Sequence, residues 1–216
     1  MQSVQLFTAA LCPFAHRARL VLAEKGVEAH LIEIDPRNKP PEFLRIAPQG
    51  EVPLLRHEGH LLWESSVISE YLEDAFPEPA LLPAEPGARG RARIWVQFAD
   101  SRLYAHTRAL LYAREPSAQQ QILPLIAQDL QFMEREGLAR RETGPYWLGP
   151  RFSIVDATIY PWFEQLAVLE RYRNFTWPEG CERLLEWCDV VARRSAVQTE
   201  SRSADFYVGR YQAFLS

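Results

Sequence analysis

Hydrophobic positions along the first 80 residues follow two patterns, one typical of strands and the other typical of helices. Short apolar runs predict strands at Val4 to Phe7, Val27 to Ile34, Val52 to Arg56 and His60 to Trp63. Spacing of three to four predicts helices at Pro13 to Lys25, Glu42 to Ile46 and Ser66 to Ala75. The order β-α-β then α-β-β-α predicts that the first two strands are parallel and joined by a right-handed crossover.

The strand signals stop beyond a proline-rich stretch that begins at Pro77. Helical periodicity then covers Arg91 to Arg114, Ser117 to Glu136, Ser153 to Tyr172, Cys181 to Arg194 and Ala204 to Leu215. We therefore predict an α/β domain over residues 1–79, a linker over residues 80–90 and an all-α domain over residues 91–216.

Composition narrows the class of protein. The chain has 216 residues, 47% of them hydrophobic, which is the balance of a globular protein with a sizeable core. A net charge of −4 without long single-sign runs argues against a principal binding face for nucleic acid or an anionic membrane. Because no apolar stretch reaches 18 residues and no signal-peptide pattern opens the chain, we expect a cytoplasmic protein.

Three cysteines, Cys12, Cys181 and Cys188, are an odd number for a disulfide framework. The last two lie seven positions apart in a predicted helix, which separates their Cα atoms by about 10.5 Å. That distance is too long for a disulfide, so we expect three free thiols in a reducing compartment.

Cys12 stands where the first strand hands over to the first helix. Proline suits the first helical position, so Pro13 places Cys12 at or next to the N-cap, beside unpaired backbone N–H groups. This position is expected to lower the pKa of the thiol and make it a nucleophile, although a free cysteine is also a common filler of a core. Residue 15 is alanine, so a disulfide formed by Cys12 needs an external thiol to resolve it.

Other motifs in the first domain allow a ligand or a plain structural role. A cis bond between Val52 and Pro53 would place the Val52 backbone beside the helix that carries Cys12, whereas a trans proline at a strand start is commoner. Ser65 or Ser66 is expected to cap the third helix, whose start would also suit a carboxylate ligand. Lys39 is either a partner for a carboxylate or a solvated loop lysine.

Polar pairs elsewhere suit structural roles. Ser153 and Asp156 form a predicted capping box rather than a catalytic pair. His57 and His60 lack a third convergent ligand, so we expect no metal site there. His16 is expected to face solvent.

Four motifs together carry a family resemblance. They are residues 11–22 (LCPFAHRARLVL), Asn38-Lys39-Pro40, Val52-Pro53, and residues 63–66 (WESS) followed by 70–72 (EYL). In order and spacing the chain resembles the glutathione transferase superfamily, and its Cys-Pro-Phe-Ala start is most similar to the omega class. The resemblance implies a thioredoxin-like N-terminal domain followed by an all-helical C-terminal domain.

The resemblance also implies roles for individual residues. Cys12 matches the omega nucleophile that forms a mixed disulfide with glutathione, a co-substrate rather than a cofactor. The implied glutathione-binding residues are Phe14, Lys39, Val52, cis Pro53, Glu64 and Ser65. An acceptor pocket is implied at Tyr104, Arg108 and Trp187, and a homodimer is expected.

The function implied is a glutathione-dependent thiol transferase and reductase, acting on dehydroascorbate or on glutathionylated substrates; the acceptor itself is unidentified. A conventional conjugating transferase is an alternative, but Phe7 stands where such an enzyme carries its tyrosine, and Cys12 occupies the serine position. A second alternative is a non-enzymatic regulator. Residues 21–27 (VLAEKGV), 62–65 (LWES), 82–83 (LP) and 88–90 (ARG) look similar to the stringent starvation protein, which binds RNA polymerase. That family lacks the cysteine and carries Pro-His-Pro where this chain has Pro77-Glu78-Pro79.

Overall fold

The computed structural model describes residues 3–141 and 143–215, which divide into two compact units after Leu82. The first unit contains strands and helices, and helices dominate the second, so the predicted combination of an α/β and an all-α domain is confirmed. None of the helices within the described residues is long and apolar enough to cross a membrane.

The first unit is a four-stranded sheet with three helices. In chain order its elements are β1 (Val4–Thr8), α1 (Pro13–Glu24), β2 (Ala29–Glu33), α2 (Pro41–Ile46), β3 (Leu54–His57), β4 (His60–Trp63) and α3 (Ser65–Ala75). The sheet order is β2-β1-β3-β4; β1 pairs in parallel with β2 and antiparallel with β3, and β3 and β4 form a hairpin. Every predicted element of this unit is present, with ends that differ by a few residues.

Successive side chains of β1 point to opposite faces of the sheet and contribute to the core on both faces. Phe7 packs against Phe43 of α2, with ring centroids 5.6 Å apart. Its neighbour Leu6 points to the opposite face of the sheet and is fully buried. Gly26 lies just beyond α1 with φ +63°, a left-handed conformation that ends the helix as predicted.

A buried ion pair joins the end of α1 to α3 in the first unit. Lys25 follows α1, and its Nζ lies 2.5 Å from Glu73 Oε2 of α3. The Glu73 carboxylate also accepts from the backbone N–H groups of Leu81 and Leu82. This contact secures the chain beyond α3, and the predicted linker of residues 80–90 consequently begins inside the first unit.

The second unit is helical. Its elements are α4 (Pro86–Phe98), a π-helical segment (Ala99–Tyr104), α5 (Ala105–Tyr112), α6 (Pro116–Phe132), a second π-helical segment (Met133–Gly137), a 3₁₀ turn (Leu138–Arg140), α7 (Ile154–Glu164), α8 (Leu166–Arg173), α9 (Glu182–Ala192), α10 (Ser195–Glu200) and α11 (Ala204–Leu215). α4 begins five residues before the predicted Arg91, because Glu85 caps it and Pro86 suits its first position. The predicted helix Ser153 to Tyr172 is divided at Gln165 into α7 and α8, and α10 was not predicted.

The capping box at the start of α7 is confirmed and does more than cap a helix. The Asp156 carboxylate accepts from the Ser153 N–H at 2.9 Å and from the Ser153 hydroxyl at 2.6 Å. It also accepts from the Trp147 N–H at 2.8 Å and from Trp187 Nε1 of α9 at 2.7 Å. Because Asp156 is fully buried, this one side chain joins three segments of the second unit's core.

Candidate active site around Cys12

Cys12 is the N-cap of α1, as the sequence predicts. β1 ends at Thr8, and after a short turn the Cys12 N–H donates to the Ala9 carbonyl at 3.0 Å. Its φ of −82° and ψ of 112° are extended, and its Sγ accepts from the N–H of Ala15 at 3.4 Å. The sulfur therefore stands at the positive end of the helix dipole.

Val52 approaches the same sulfur from a distant part of the chain. The Cys12 thiol donates to the Val52 carbonyl, with 3.5 Å between sulfur and oxygen. The Val52–Pro53 bond is cis, as the resemblance implies, and both residues precede β3 instead of opening it. The contact exists only while the thiol keeps its proton, so ionisation would release the Val52 carbonyl.

Burial raises the pKa of the Cys12 thiol above the ordinary value of 9.0. The residue as a whole is only partly buried, but its sulfur is enclosed by protein, and desolvation disfavours the thiolate. The N–H groups of Ala15 and Phe14 and the charges of Arg19 and Arg17 lower the pKa, by less than burial raises it. The expected lowering of the Cys12 pKa was therefore wrong.

This direction predicts how Cys12 reacts in the free protein. Because the thiolate is the nucleophile, alkylation of Cys12 by iodoacetamide should rise with pH from 6 upward and keep rising beyond the ordinary thiol pKa. Peptide mass spectrometry after timed alkylation gives the rate at each pH. A rate that levels off below pH 7 would show that the helix start outweighs burial.

The other two cysteines are free thiols with high pKa values. Cys181 is buried next to the start of α9, and burial with Glu134 and Glu182 raises its pKa to about 11. Burial together with Asp189 and Glu164 raises the pKa of Cys188 to about 12. Nearby carboxylates thus raise the pKa values of Cys181 and Cys188, whereas the charges of Arg19 and Arg17 lower the pKa of Cys12.

Glu64, and not a serine, is the N-cap of α3. The helix begins at Ser65, one residue earlier than predicted, and Ser65 is buried while Glu64 is exposed. Glu64 has φ +67°, a conformation that side chains disfavour. The contact of Glu64 with glutathione that the resemblance implies stays a prediction.

Two further residues that the resemblance assigns to glutathione binding, Lys39 and Phe14, lie in the first unit. Lys39 is half-buried in the connection between β2 and α2. Phe14 is the second residue of α1, and the Arg17 guanidinium lies 5.2 Å from its ring centroid. Their contacts with glutathione stay predictions.

The residues assigned to an acceptor pocket differ in exposure. Tyr104 is 5% exposed and donates to the Thr158 carbonyl, and Trp187 is 1% exposed and donates to Asp156. Arg108 is exposed and lies over the Tyr112 ring. Tyr104 and Trp187 therefore serve the core of the second unit, and the pocket stays a prediction.

Three polar residues of α1 are buried, and the sequence predicted solvent exposure for one of them, His16. His16 is fully buried and does not face solvent as expected, and Arg17 and Arg19 are enclosed beside it. A signal for them was present, since they interrupt an otherwise apolar run over residues 15–22. His57 is also buried and contacts Tyr71 Oη at 2.9 Å, and among the described residues no group of three or more His, Cys, Asp or Glu side chains is placed to hold a metal.

Comparisons with known proteins agree on one family. Family models described as "Glutathione S-transferase, N-terminal domain" and "Glutathione S-transferase, C-terminal domain" match residues 11–75 and 115–189. Glutathione S-transferase omega-1 of Rattus norvegicus is 30% identical over 170 residues, which is 77% of this chain and 68% of the relative. A probable glutathione S-transferase, parC, of Nicotiana tabacum is 30% identical over 187 residues, 85% and 82% of the two chains.

Solved structures give the same result across the whole chain. Glutathione transferase Omega 3C from Trametes versicolor superposes with a TM-score of 0.86 at 29% identity and covers 100% of this chain and 91% of its own. Rice GST1, solved in complex with glutathione, superposes with a TM-score of 0.88 at 29% identity and covers 99% and 98%. The sheet and helices of the first unit are therefore a thioredoxin-like domain.

Proposed function

Because the chain belongs to the glutathione S-transferase family, we propose that this glutathione transferase is a thiol transferase and reductase with Cys12 as its nucleophile. The observation that carries the proposal is a thiol at the N-cap of α1, with its sulfur beside the Ala15 N–H and the Val52 carbonyl. The hydroxyl of Thr8 at the end of β1 is already bound by Arg19 at 2.6 Å. Because Thr8 is 2% exposed, we infer that its hydroxyl does not reach the glutathione sulfur.

The proposed reaction begins with loss of the Cys12 proton to solvent. The Cys12 thiolate attacks the glutathione sulfur of a mixed disulfide, the old S–S bond breaks, and the substrate leaves as its thiolate. A second glutathione thiolate then attacks Cys12–S–S–glutathione, which releases oxidised glutathione and restores the Cys12 thiolate. The second glutathione is needed because residue 15, where a dithiol enzyme has its resolving cysteine, is alanine.

The residues around the sulfur have separate tasks in this proposal. The Ala15 N–H remains as a donor to the thiolate after the proton leaves. The Val52 carbonyl, released by the same step, can accept from a backbone N–H of glutathione, which would place the glutathione sulfur beside Cys12. Glu64 and Ser65 at the start of α3 suit the γ-glutamyl group, and Lys39 suits the glycyl carboxylate.

The omega-class relatives support this chemistry, and the acceptor substrate follows from none of them. Reduction of dehydroascorbate and removal of glutathione from adducts are the reactions we propose to test first. Assembly as a homodimer and residence in the cytoplasm, where glutathione is kept reduced, stay predictions.

Incubation with oxidised glutathione tests the mechanism directly. At pH 8.5, where more of the thiol is ionised, we expect one glutathione per chain, attached to Cys12 and removed by added reduced glutathione. Intact-protein and peptide mass spectrometry measure both steps, and a Cys188→Ser variant is the matched control that should give the same adduct. An adduct on Cys181 or Cys188, or no adduct, would contradict the proposal.

A further inference from the structure

Two arginines are enclosed in the helix that carries Cys12. Arg17 and Arg19 lie five and seven positions after Cys12, and they are 0% and 5% exposed. Enclosing a guanidinium removes it from water, which costs free energy. Two such residues in twelve positions of α1 call for a reason beyond packing.

Arg19 extends back toward the start of α1. Side chains on a helix tilt toward its N-terminus, so a long side chain two turns along reaches the first turn. Its Nη1 donates to Thr8 Oγ1 at 2.6 Å, and Thr8 is the last residue of β1, four positions before Cys12. This hydrogen bond holds the guanidinium beside the junction of β1 and α1.

Arg17 places a second charge in the same region. Its guanidinium lies 5.2 Å from the ring centroid of Phe14, a residue of the first turn of α1. The positive charges of both arginines lower the pKa of the Cys12 thiol, Arg19 more than Arg17, against the larger effect of burial. Arginine keeps its charge at every pH a folded protein meets, so this contribution is permanent.

Other charged groups on the neighbouring segments affect the pKa of the Cys12 thiol less than the two arginines do. Glu33 at the end of β2 accepts from the Ala10 N–H at 2.7 Å, and it is exposed, as are Glu51 and Glu64 on the segments before β3 and α3. Water screens exposed carboxylates, whereas the enclosed arginines are screened little. The other titratable side chains of α1 are His16 and Glu24. Helix α3, which packs against α1, carries Glu70, Asp74 and Glu73, the last of which is paired with Lys25.

We propose that Arg19, fixed by Thr8 and assisted by Arg17, is a positioning residue whose permanent charge allows the enclosed Cys12 sulfur to ionise. This inference rests on the proposed function, because an ionised Cys12 is the nucleophile of that reaction. Arg19 acts through Cys12 and the helix start and does not itself touch the reacting sulfur of a substrate.

The pH dependence of Cys12 alkylation by iodoacetamide tests this role. Arg19→Gln should move the midpoint of the profile to higher pH and slow alkylation at neutral pH about tenfold, because one enclosed positive charge is lost. Arg19→Lys keeps the charge and should lie between Gln and wild type. Arg45→Gln, which removes an arginine 73% exposed in the first unit, is the matched control and should leave the profile unchanged.

Thr8→Val keeps the test decisive if Arg19→Gln does not fold. It removes the 2.6 Å hydrogen bond but leaves the charge, so the midpoint should rise by less than in Arg19→Gln. Wild-type midpoints in both Thr8→Val and Arg19→Lys, or in a folded Arg19→Gln, would overturn the inference. The assay contains no glutathione, so its result is separate from failure of the proposed function, which the glutathione adduct measures.

Discussion

Cys12→Ala is expected to lower the rate of mixed-disulfide reduction by on the order of a thousandfold or more, because the variant has no nucleophile at the start of α1. Cys181 and Cys188 lie in the second unit, beside carboxylates. Burial and nearby carboxylates raise their pKa values to about 11 for Cys181 and about 12 for Cys188. The rate is measured as glutathione oxidation coupled to glutathione reductase, with a small mixed disulfide of glutathione as substrate.

A control variant and a pH profile accompany the measurement on Cys12→Ala. Cys188→Ala removes a thiol of the second unit and should retain the wild-type rate. A coupled rate measured from pH 7 to pH 9 should rise in wild type, because burial raises the pKa of Cys12 and the thiolate fraction grows over this range. Substantial reduction by Cys12→Ala would refute the proposed mechanism, and conjugating activity retained in that variant would favour a conventional transferase.

Asp156→Ala is expected to destabilise the second unit by about 3–5 kcal/mol. The substitution leaves the Trp187 indole N–H and the backbone N–H groups of Trp147 and Ser153 enclosed without their acceptor. Each buried donor without a partner costs about 1–3 kcal/mol. Urea unfolding followed by tryptophan fluorescence reports on this unit, since five of the six tryptophans lie beyond residue 83.

The effect of Asp156→Ala should depend on pH with a definite sign. Burial raises the pKa of Asp156 above its ordinary 3.8, so the folded state holds the proton more tightly than the unfolded state. The contribution of Asp156 is therefore fully present below that ordinary value and is lost as pH rises through the folded pKa. The difference between wild type and variant should narrow from pH 4 toward neutrality.

Asp189→Ala is the matched control for Asp156→Ala. Asp189 is an exposed residue of α9, so its loss should change the free energy of unfolding by about 0.5 kcal/mol or less. Equal losses in the two variants would show that the network around Asp156 does not stabilise the unit as described.

Features that depend on neighbouring residues followed from the sequence. Pro13 after Cys12 predicts the N-cap of α1, Gly26 predicts its end, and Ser153 with Asp156 predicts the capping box. Each depends on backbone groups within a few positions, so local pattern is sufficient. The break at Gln165 and the short α10 depend on packing between helices, and the periodicity did not reveal them.

The sequence predicted the protonation and burial of the site residues less well than it predicted their positions. The sequence placed Cys12 correctly but predicted the wrong direction for its pKa, because enclosure of the sulfur outweighs the helix start. It placed His16 in solvent, where the structure buries it, and it did not foresee the role of Arg19. Tyr104 and Trp187 are buried, and the acceptor pocket that the resemblance implies for them stays a prediction.

The sequence by itself determined the order of the elements, the α/β and all-α division, and the thiol at the start of α1. Only the tertiary structure decided that Val52 meets that thiol, that its sulfur is desolvated, and that two arginines are enclosed beside it. The physical reason is the separation along the chain over which each interaction acts. Capping and periodicity act between residues a few positions apart, whereas desolvation and Coulomb interactions depend on atoms that folding brings together from distant positions.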